Sequence, residues 1–184
     1  MKLRTLNDLQ DLLDRDFAWR LKEIADMKLA ARRACGLTQD TVIRAGVPLL
    51  YAHWEGFVKS AAEAYICYVS CQRLRYDEMA SPFIVFGAKR HLQDLSDARR
   101  AAVNIAAVDF FMTRLSERAR LSLSSAVNTE ANLSSRTFEN IVFSIGISPV
   151  TYEARYNFID TSLLKRRNRI AHGEYLDCPV PQWC

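Results

Sequence analysis

Apolar residues recur every three or four positions at the start of the chain, with charged residues between them. The residues that carry this repeat are Leu6, Leu9, Leu13, Phe17, Leu21, Ile24 and Met27. Such spacing places them on one face of an amphipathic helix, which we expect to run from about residue 5 to 34. Gly36 provides a stop for this helix, and Thr38 provides a cap for the next one.

A second long apolar stripe follows and predicts a helix from about residue 39 to 75. Its members are Leu50, Trp54, Phe57, Val58, Ala61, Tyr65, Ile66 and Val69. Pro48 lies inside the pattern, and proline removes a backbone hydrogen bond, so we expect a kink or a restart there. At helical spacing the aromatic residues Tyr51, Trp54, Phe57 and Tyr65 indicate core packing or a dimer seam more than a surface for stacking bases.

The middle of the chain is patterned less clearly. Residues 83–86 form a short apolar piece that fits either a helix or a loop. A helical repeat then extends from about residue 97 to 120. The stretch 122–135 is rich in Ser, Asn and Thr, which is typical of a connection.

Two further helices are expected near the end of the chain. Ser135 caps a short one that ends before Gly146, and the last runs from about residue 158 to 172, with Gly173 as its stop. The prediction is an all-α, antiparallel helical bundle with two long N-terminal helices. It comprises residues 1–176 and is followed by a non-helical tail, 177–184.

Composition agrees with a helical fold and limits its size. The chain has 184 residues, of which 49% are hydrophobic, and only 6 are Gly and 5 Pro. This length suits one domain, and few tight turns are specified. The five cysteines form no C-x-x-C pair, the first residues lack the apolar run expected of a signal peptide, and no uncharged apolar stretch is long enough to span a membrane. We therefore expect a cytoplasmic protein without disulfides.

Positive charge is concentrated near the carboxyl end of the last predicted helix. The net charge is only +4, but 19 of the 25 basic residues are Arg, which suits bidentate contact with phosphate. The densest cluster consists of Lys165, Arg166, Arg167 and Arg169. Basic residues in a last helical turn also simply offset the helix dipole, so a purely structural interpretation remains open.

Asn168 and His172 are four residues apart and so share a helix face, where the amide could orient the imidazole. Arg167 lies about 140° away from His172 around the helix axis. It reaches the same ligand only through its long side chain or by meeting the site of another subunit. A His at this position can move a proton and an Arg can stabilise charge on phosphate oxygens, which suits RNA cleavage through the 2′-OH without a metal.

At these residues the chain resembles the HEPN-domain superfamily. The string RNRIAHGE, residues 167–174, is similar to the family signature of an Arg, a polar residue and a His a few positions on. The string LYAHWEGFVK, residues 50–59, is similar to the second helix of one bacterial branch. Some HEPN toxins carry His-x-Tyr and are controlled by modification of that Tyr, but here Tyr175 comes one position later.

The resemblance implies a helical bundle that dimerises and combines two Arg–His motifs in one composite cleft. It implies a metal-independent endoribonuclease of a toxin, defence or RNA-processing system, with no cofactor, and with RNA and a cognate antitoxin or operon partner as candidate partners. By position, the catalytic residues are Arg167, His172 and Asn168. Lys165, Arg166 and Arg169 would bind RNA, with Glu55 and Glu174 in support.

Other interpretations remain to be weighed against the nuclease. His53, His91 and His172 come from separate elements without the spacing of metal ligands, so no metal site is expected. We expect His53 beside the core and His91 on the surface. A HEPN-like module that binds RNA or a protein without cutting, and a purely structural helical partner, are the alternatives to the enzyme.

Overall fold

A computed structural model describes residues 3–97, 99–121, 127 and 132–175 of the chain. The predicted tail 177–184 and most of the predicted connection 122–135 lie outside these described residues. Within them the six α-helices are α1 Leu6–Arg33, α2 Gly36–Cys71, α3 Ser81–Asp97, α4 Ala101–Thr113, α5 Ser135–Ser144 and α6 Lys165–Ala171. The described part contains no β-strand beyond an isolated bridge between Arg75 and Arg118, so the all-α prediction is confirmed.

Helix α1 agrees with the predicted range to within one residue at each end, but Gly36 is the first residue of α2 and not the stop of α1, which ends at Arg33 before an extended Ala34. At its start Thr5 and Asp8 form a capping box, in which the Thr5 hydroxyl accepts from the backbone N–H of Asp8 and the Asp8 carboxylate accepts from the N–H of Thr5. Each bond satisfies a backbone donor that the first helical turn leaves unpaired. Acid in the first turn and Arg32 and Arg33 in the last also match the helix dipole.

The second helix differs from the prediction in two respects. It begins at Gly36, with Cys35 rather than Thr38 at the cap, and Cys35 makes no side-chain capping bond. It also continues through Pro48 without a restart. Contacts with α1 on both sides of the proline, at Gly46 and His53, hold the helix across the missing hydrogen bond.

The two long helices pack against each other in opposite directions. The amide of Gln72, just after α2, donates to the backbone carbonyl of Arg4, just before α1, while Gln39 donates to the carbonyl of Ala31. Early residues of one helix therefore meet late residues of the other, as in an antiparallel pair. This confirms the predicted pair of long antiparallel helices.

In the middle of the chain the structure decides one open prediction and corrects another. Residues 83–86 belong to a helix, α3, and α4 ends at Thr113, well before the predicted residue 120. Beyond α4, the backbone of residues 115–119 pairs with residues 74–77. Backbone groups that form these bonds are no longer available to continue a helix.

The last helical region is not uniformly α-helical. A 3₁₀ segment, Pro149–Arg155, is followed by a π-helical segment, Phe158–Leu164, and only then by α6. Periodicity does not reveal this change, because the apolar spacing suits any of these helices over one or two turns. π-Helical turns are rare and are often found next to functional sites.

Asp160 fixes the π-helical segment to the start of α5. Its carboxylate accepts from the backbone N–H of Ser135 at 2.8 Å and from the Ser135 hydroxyl at 2.6 Å. Ser134, rather than the predicted Ser135, caps α5. The main core lies between α2, α3, α5 and the π-helical segment, where Ile66, Leu133 and Leu163 are among its buried members.

An apolar groove of about 820 Å³ opens beside this core, between α1, α2, α5 and the π-helical segment. Leu50, Trp54, Ile147 and Phe158 are among the side chains that line it. No helix in the described part of the chain combines the length and hydrophobicity needed to cross a bilayer.

Candidate functional site

Helix α6 ends in a glycine-dependent turn that sets the position of His172. Gly173 adopts a φ of +76°, and its N–H donates to the carbonyl of Ile170, while the N–H of Glu174 donates to the carbonyl of Arg169. This pair of bonds is a Schellman motif, which favours glycine in the left-handed position. The chain stops being helical at His172, and the imidazole is therefore presented at the very end of the helix.

The guanidinium of Arg167 is held on two sides. Its Nη1 donates to Oδ1 of Asn132 at 2.7 Å and to Oδ1 of Asn168 at 2.8 Å. Its Cζ lies 4.3 Å from the centre of the Tyr51 ring, a cation–π distance. We refer to Tyr51, Asn132, Arg167 and Asn168 as the Arg167 cluster.

Tyr51 connects this cluster to the core. Only 2% of its surface is exposed, and its hydroxyl accepts a 2.6 Å hydrogen bond from the backbone N–H of Leu133, which is fully buried. The pKa of Tyr51 is raised, mainly because the ring is buried. The hydrogen bond from Leu133 and the charge of Arg167 lower this pKa, while the charge of Glu55 raises it further. The ring beneath Arg167 is therefore fixed at both its hydroxyl and its face.

Asn168 does not perform the role expected of it. Its Oδ1 accepts from Arg167, so the amide orients the guanidinium and not the imidazole of His172. The link between Asn168 and His172 is a backbone one, from the N–H of His172 to the carbonyl of Asn168 at 3.0 Å. The amide oxygen accepts from the guanidinium because that group is charged and has five N–H donors.

His172 is exposed, and its side chain makes no hydrogen bond within the described residues. Arg167 is half-buried and precedes it by five residues of regular α-helix, which corresponds to about 140° around the axis. Ala171 is exposed as well, and Ile170 is half-buried. The two predicted catalytic side chains therefore leave α6 in different directions.

The other basic residues of α6 fall into two groups. Lys165 and Arg166 are exposed, with no hydrogen bond or ion pair within the described residues. Arg169 donates from Nε to the carboxylate of Glu174 at 2.8 Å and from Nη2 to the carbonyl of Tyr175 at 3.3 Å. Glu174 thus reduces the positive charge at one of the three predicted RNA-binding positions.

Contacts with α2 hold the end of α6 in place. Nη2 of Arg44 donates to the backbone carbonyl of Glu174 at 2.6 Å. Glu55 is half-buried on the same helix, one turn beyond Tyr51, and its charge acts on that ring. Helix α2 therefore supports the motif at two points, at the guanidinium and at the terminal turn.

The remaining histidines lie elsewhere. His53 is buried, as predicted, with its Nε2 2.9 Å from Oε2 of Glu23 and its ring edge against Trp19. His91 is half-buried and stacks on Phe110 at 4.2 Å, so it is only partly at the surface. Within the described part of the chain, no three His, Cys, Asp or Glu side chains gather as a metal-binding group.

Sequence reasoning missed two members of the Arg167 cluster. Tyr51 was interpreted as a packing residue, which its burial confirms, but its contact with Arg167 was not foreseen. Asn132 lies 35 residues before Arg167 in a stretch with no periodic pattern. The position of Tyr51 within the second-helix string was the one available signal, and nothing in the sequence singles out Asn132.

Comparison with known proteins agrees with this architecture. No curated protein and no solved structure matches the chain. The family model described as RiboL-PSP-HEPN matches residues 15–180, which include most of α1, all of α2, the Arg167 cluster and His172. The chain therefore belongs to the RiboL-PSP-HEPN family and is a HEPN-domain protein.

Proposed function

We propose that this protein is a metal-independent endoribonuclease that acts as a homodimer. The observation that carries the proposal is the orientation of Arg167. A buried ring and two amides hold its guanidinium, while its helix ends at an exposed His172. An Arg that only offset the helix dipole would need no such support.

In this proposal the 2′-OH of the RNA attacks the adjacent phosphorus. The bond to the 5′ oxygen breaks, which yields a 2′,3′-cyclic phosphate and a 5′-hydroxyl. Arg167 stabilises the negative charge that develops on the non-bridging phosphate oxygens, as a preorganised cation does most effectively when it is already oriented. Lys165 and Arg166 bind the phosphates on either side, since both are exposed.

Proton transfer is assigned to His172. One imidazole accepts the proton of the 2′-OH, and the partner subunit's His172 donates a proton to the leaving 5′ oxygen. Two subunits are required because Arg167 and His172 leave one helix about 140° apart. A single α6 therefore does not present both groups to the same phosphate.

The apolar groove supports a second copy of the chain as the partner. Leu50 and Trp54 line it. Tyr51, whose ring contacts the Arg167 guanidinium, lies between these two residues in the sequence of α2. Phe158, at 57% exposure, and Ile147, at 39%, extend the apolar surface around it. A contact at this groove would bury exposed apolar area and bring two Arg167 clusters towards each other.

Incubation of the purified protein with RNA in EDTA tests the proposed reaction. The wild type should cleave and leave 2′,3′-cyclic phosphate ends, detected by their resistance to phosphatase until acid opens the ring. His172→Ala and Arg167→Ala should each lower cleavage by about 100-fold or more. The matched controls are His91→Gln and Arg136→Ala, which change the same residue types outside the site and should retain activity.

Two results would contradict the enzyme. RNA binding by the wild type without cleavage would indicate the alternative, a HEPN module that binds without cutting. Cleavage that persists in both alanine variants would show that the Arg–His motif is not the active site.

Light scattering of purified variants tests the proposed dimer. Phe158→Asp should yield monomers, because it introduces a charge into the groove. Met112→Asp changes a still more exposed apolar residue on α4, at 77% exposure, and should leave the dimer intact. Dissociation by Met112→Asp alone would place the interface on α4 instead.

A further inference from the structure

We infer that Tyr51 and Asn132 are positioning residues that fix Arg167 so that its Nε–Nη2 edge is the one offered to a phosphate. The role of the phosphate in this inference rests on the proposed function, whereas the contacts that hold Arg167 do not depend on it. Tyr51 covers one face of the guanidinium at 4.3 Å, and Asn132 holds Nη1 at 2.7 Å. The Tyr51 ring fixes the plane of the guanidinium, and the bond to Asn132 fixes the rotation of the guanidinium within that plane.

The hydrogen-bond inventory of Arg167 identifies the free edge. Nη1 already donates to Asn132 and Asn168. Nε and Nη2 make no hydrogen bond within the described residues, and these two nitrogens form the side of the guanidinium that can bind two oxygens at once. A phosphate that approaches the cluster therefore finds one bidentate edge available.

The support beneath Arg167 is itself rigid. Tyr51 is buried, and its hydroxyl is tied to the backbone of Leu133, the residue directly after Asn132. The segment that supplies the amide acceptor is thus anchored by the same ring that carries the guanidinium. Because these contacts exist before any ligand binds, Arg167 does not have to be ordered during the reaction.

Positioning differs from a structural role in its kinetic signature. A misplaced guanidinium weakens stabilisation of the transition state more than ground-state binding, so kcat falls while KM changes little. Asn132→Ala removes the acceptor and should lower kcat by about 10- to 100-fold. Asn132→Gln keeps a neutral amide acceptor and should retain more activity than Asn132→Ala, which a loss caused by general damage to the fold would not allow.

A readout that does not depend on cleavage is the side-chain ¹H–¹⁵N NMR signal of Arg167 Nε, assigned by its loss in Arg167→Lys. The Tyr51 ring current should shift this signal, and Tyr51→Leu should abolish the shift. In Asn132→Ala the guanidinium should rotate and exchange with water faster. Tyr156→Phe, a change at a half-buried tyrosine outside the Arg167 cluster, serves as the control and should leave the signal unchanged.

A 2′-O-methyl RNA oligonucleotide, which lacks the attacking hydroxyl, tests the free edge directly. Its addition should move the Nε signal of Arg167 in the wild type. An unchanged signal on addition, an unchanged signal in Tyr51→Leu and Asn132→Ala, or altered signals with kcat unaffected would each overturn the inference. If the wild type fails to cleave any RNA, the proposed function is wrong, and the NMR signals still decide whether Tyr51 and Asn132 hold Arg167.

Discussion

The hydroxyl of Ser60 on α2 donates a 2.5 Å hydrogen bond to Oδ2 of Asp16 on α1. The other carboxylate oxygen accepts from Trp19 Nε1 at 3.0 Å and from Arg20 Nε at 3.2 Å. Asp16 is therefore the polar centre of the contact between the two long helices. Burial alone would raise the pKa of Asp16, but the bonds from Ser60, Arg20 and Trp19 outweigh it and lower the pKa.

This arrangement predicts a loss of stability in acid. A carboxyl group whose pKa is lower in the folded state stabilises the fold above its ordinary pKa, and this contribution disappears as the pH falls through the lowered folded value. Asp16→Asn should cost about 1–3 kcal/mol at neutral pH and should flatten the decline below about pH 4. Urea unfolding at a series of pH values measures both effects.

Asp14→Asn is the matched control for this experiment. Asp14 is exposed on the same helix, and among the residues that the structure describes it accepts only from Gln10, at 2.8 Å. Its replacement should change stability by less than about 0.5 kcal/mol. An equal effect of both variants would mean that the acid dependence arises from net charge and not from the Asp16 contact.

A pair of tyrosine hydroxyls should respond oppositely to removal. Tyr51→Phe leaves the buried N–H of Leu133 without its acceptor, which should cost about 1–3 kcal/mol. The buried hydroxyl of Tyr156 has no hydrogen-bond partner within the described residues, so Tyr156→Phe should be neutral or slightly stabilising. Urea unfolding of both variants is the measurement, and a greater loss in Tyr156→Phe would refute this assignment.

Two glycines with positive φ separate stability from activity. Gly173, at +76°, and Gly36, at +55°, both have open space where a Cβ would lie. Alanine at either position should therefore cost about 1–2 kcal/mol through backbone strain alone. Only Gly173→Ala disturbs the turn that presents His172, so it should reduce RNA cleavage while Gly36→Ala does not, when both are assayed well below their melting temperatures.

Alanine at two other helical glycines should shift stability in opposite directions. A Cβ on Gly87 would collide with the buried ring of Tyr76, and Gly87→Ala should cost about 1–3 kcal/mol. A Cβ on Gly46 would lie 3.4 Å from Cγ of Met27, an ordinary contact with a flexible side chain. Gly46→Ala should therefore stabilise the protein by about 0.5–1 kcal/mol, because alanine is the better helix former. Thermal unfolding of the two variants is the check, and a gain in stability at Gly87 would contradict the packing described here.

The sequence predicted those features of the protein that depend on neighbouring residues. The apolar repeat of α1 and the final turn at Gly173 are local, since periodicity and left-handed glycines act over a few residues. The motif containing Arg167 and His172 is equally local, because both residues lie on one short helix. These features could therefore be predicted without a structure.

Tertiary contacts decided the rest. Helix α2 continues through Pro48 because α1 packs on both sides of it, and α4 stops at Thr113 because residues 115–119 pair with a distant segment. The same holds at the site, where Arg167 is oriented by Tyr51 and Asn132, which lie far from it in the chain. The sequence determined by itself which side chains α6 carries. Only packing between distant segments decided which way the guanidinium faces, because a side chain's orientation is set by the groups that surround it in space.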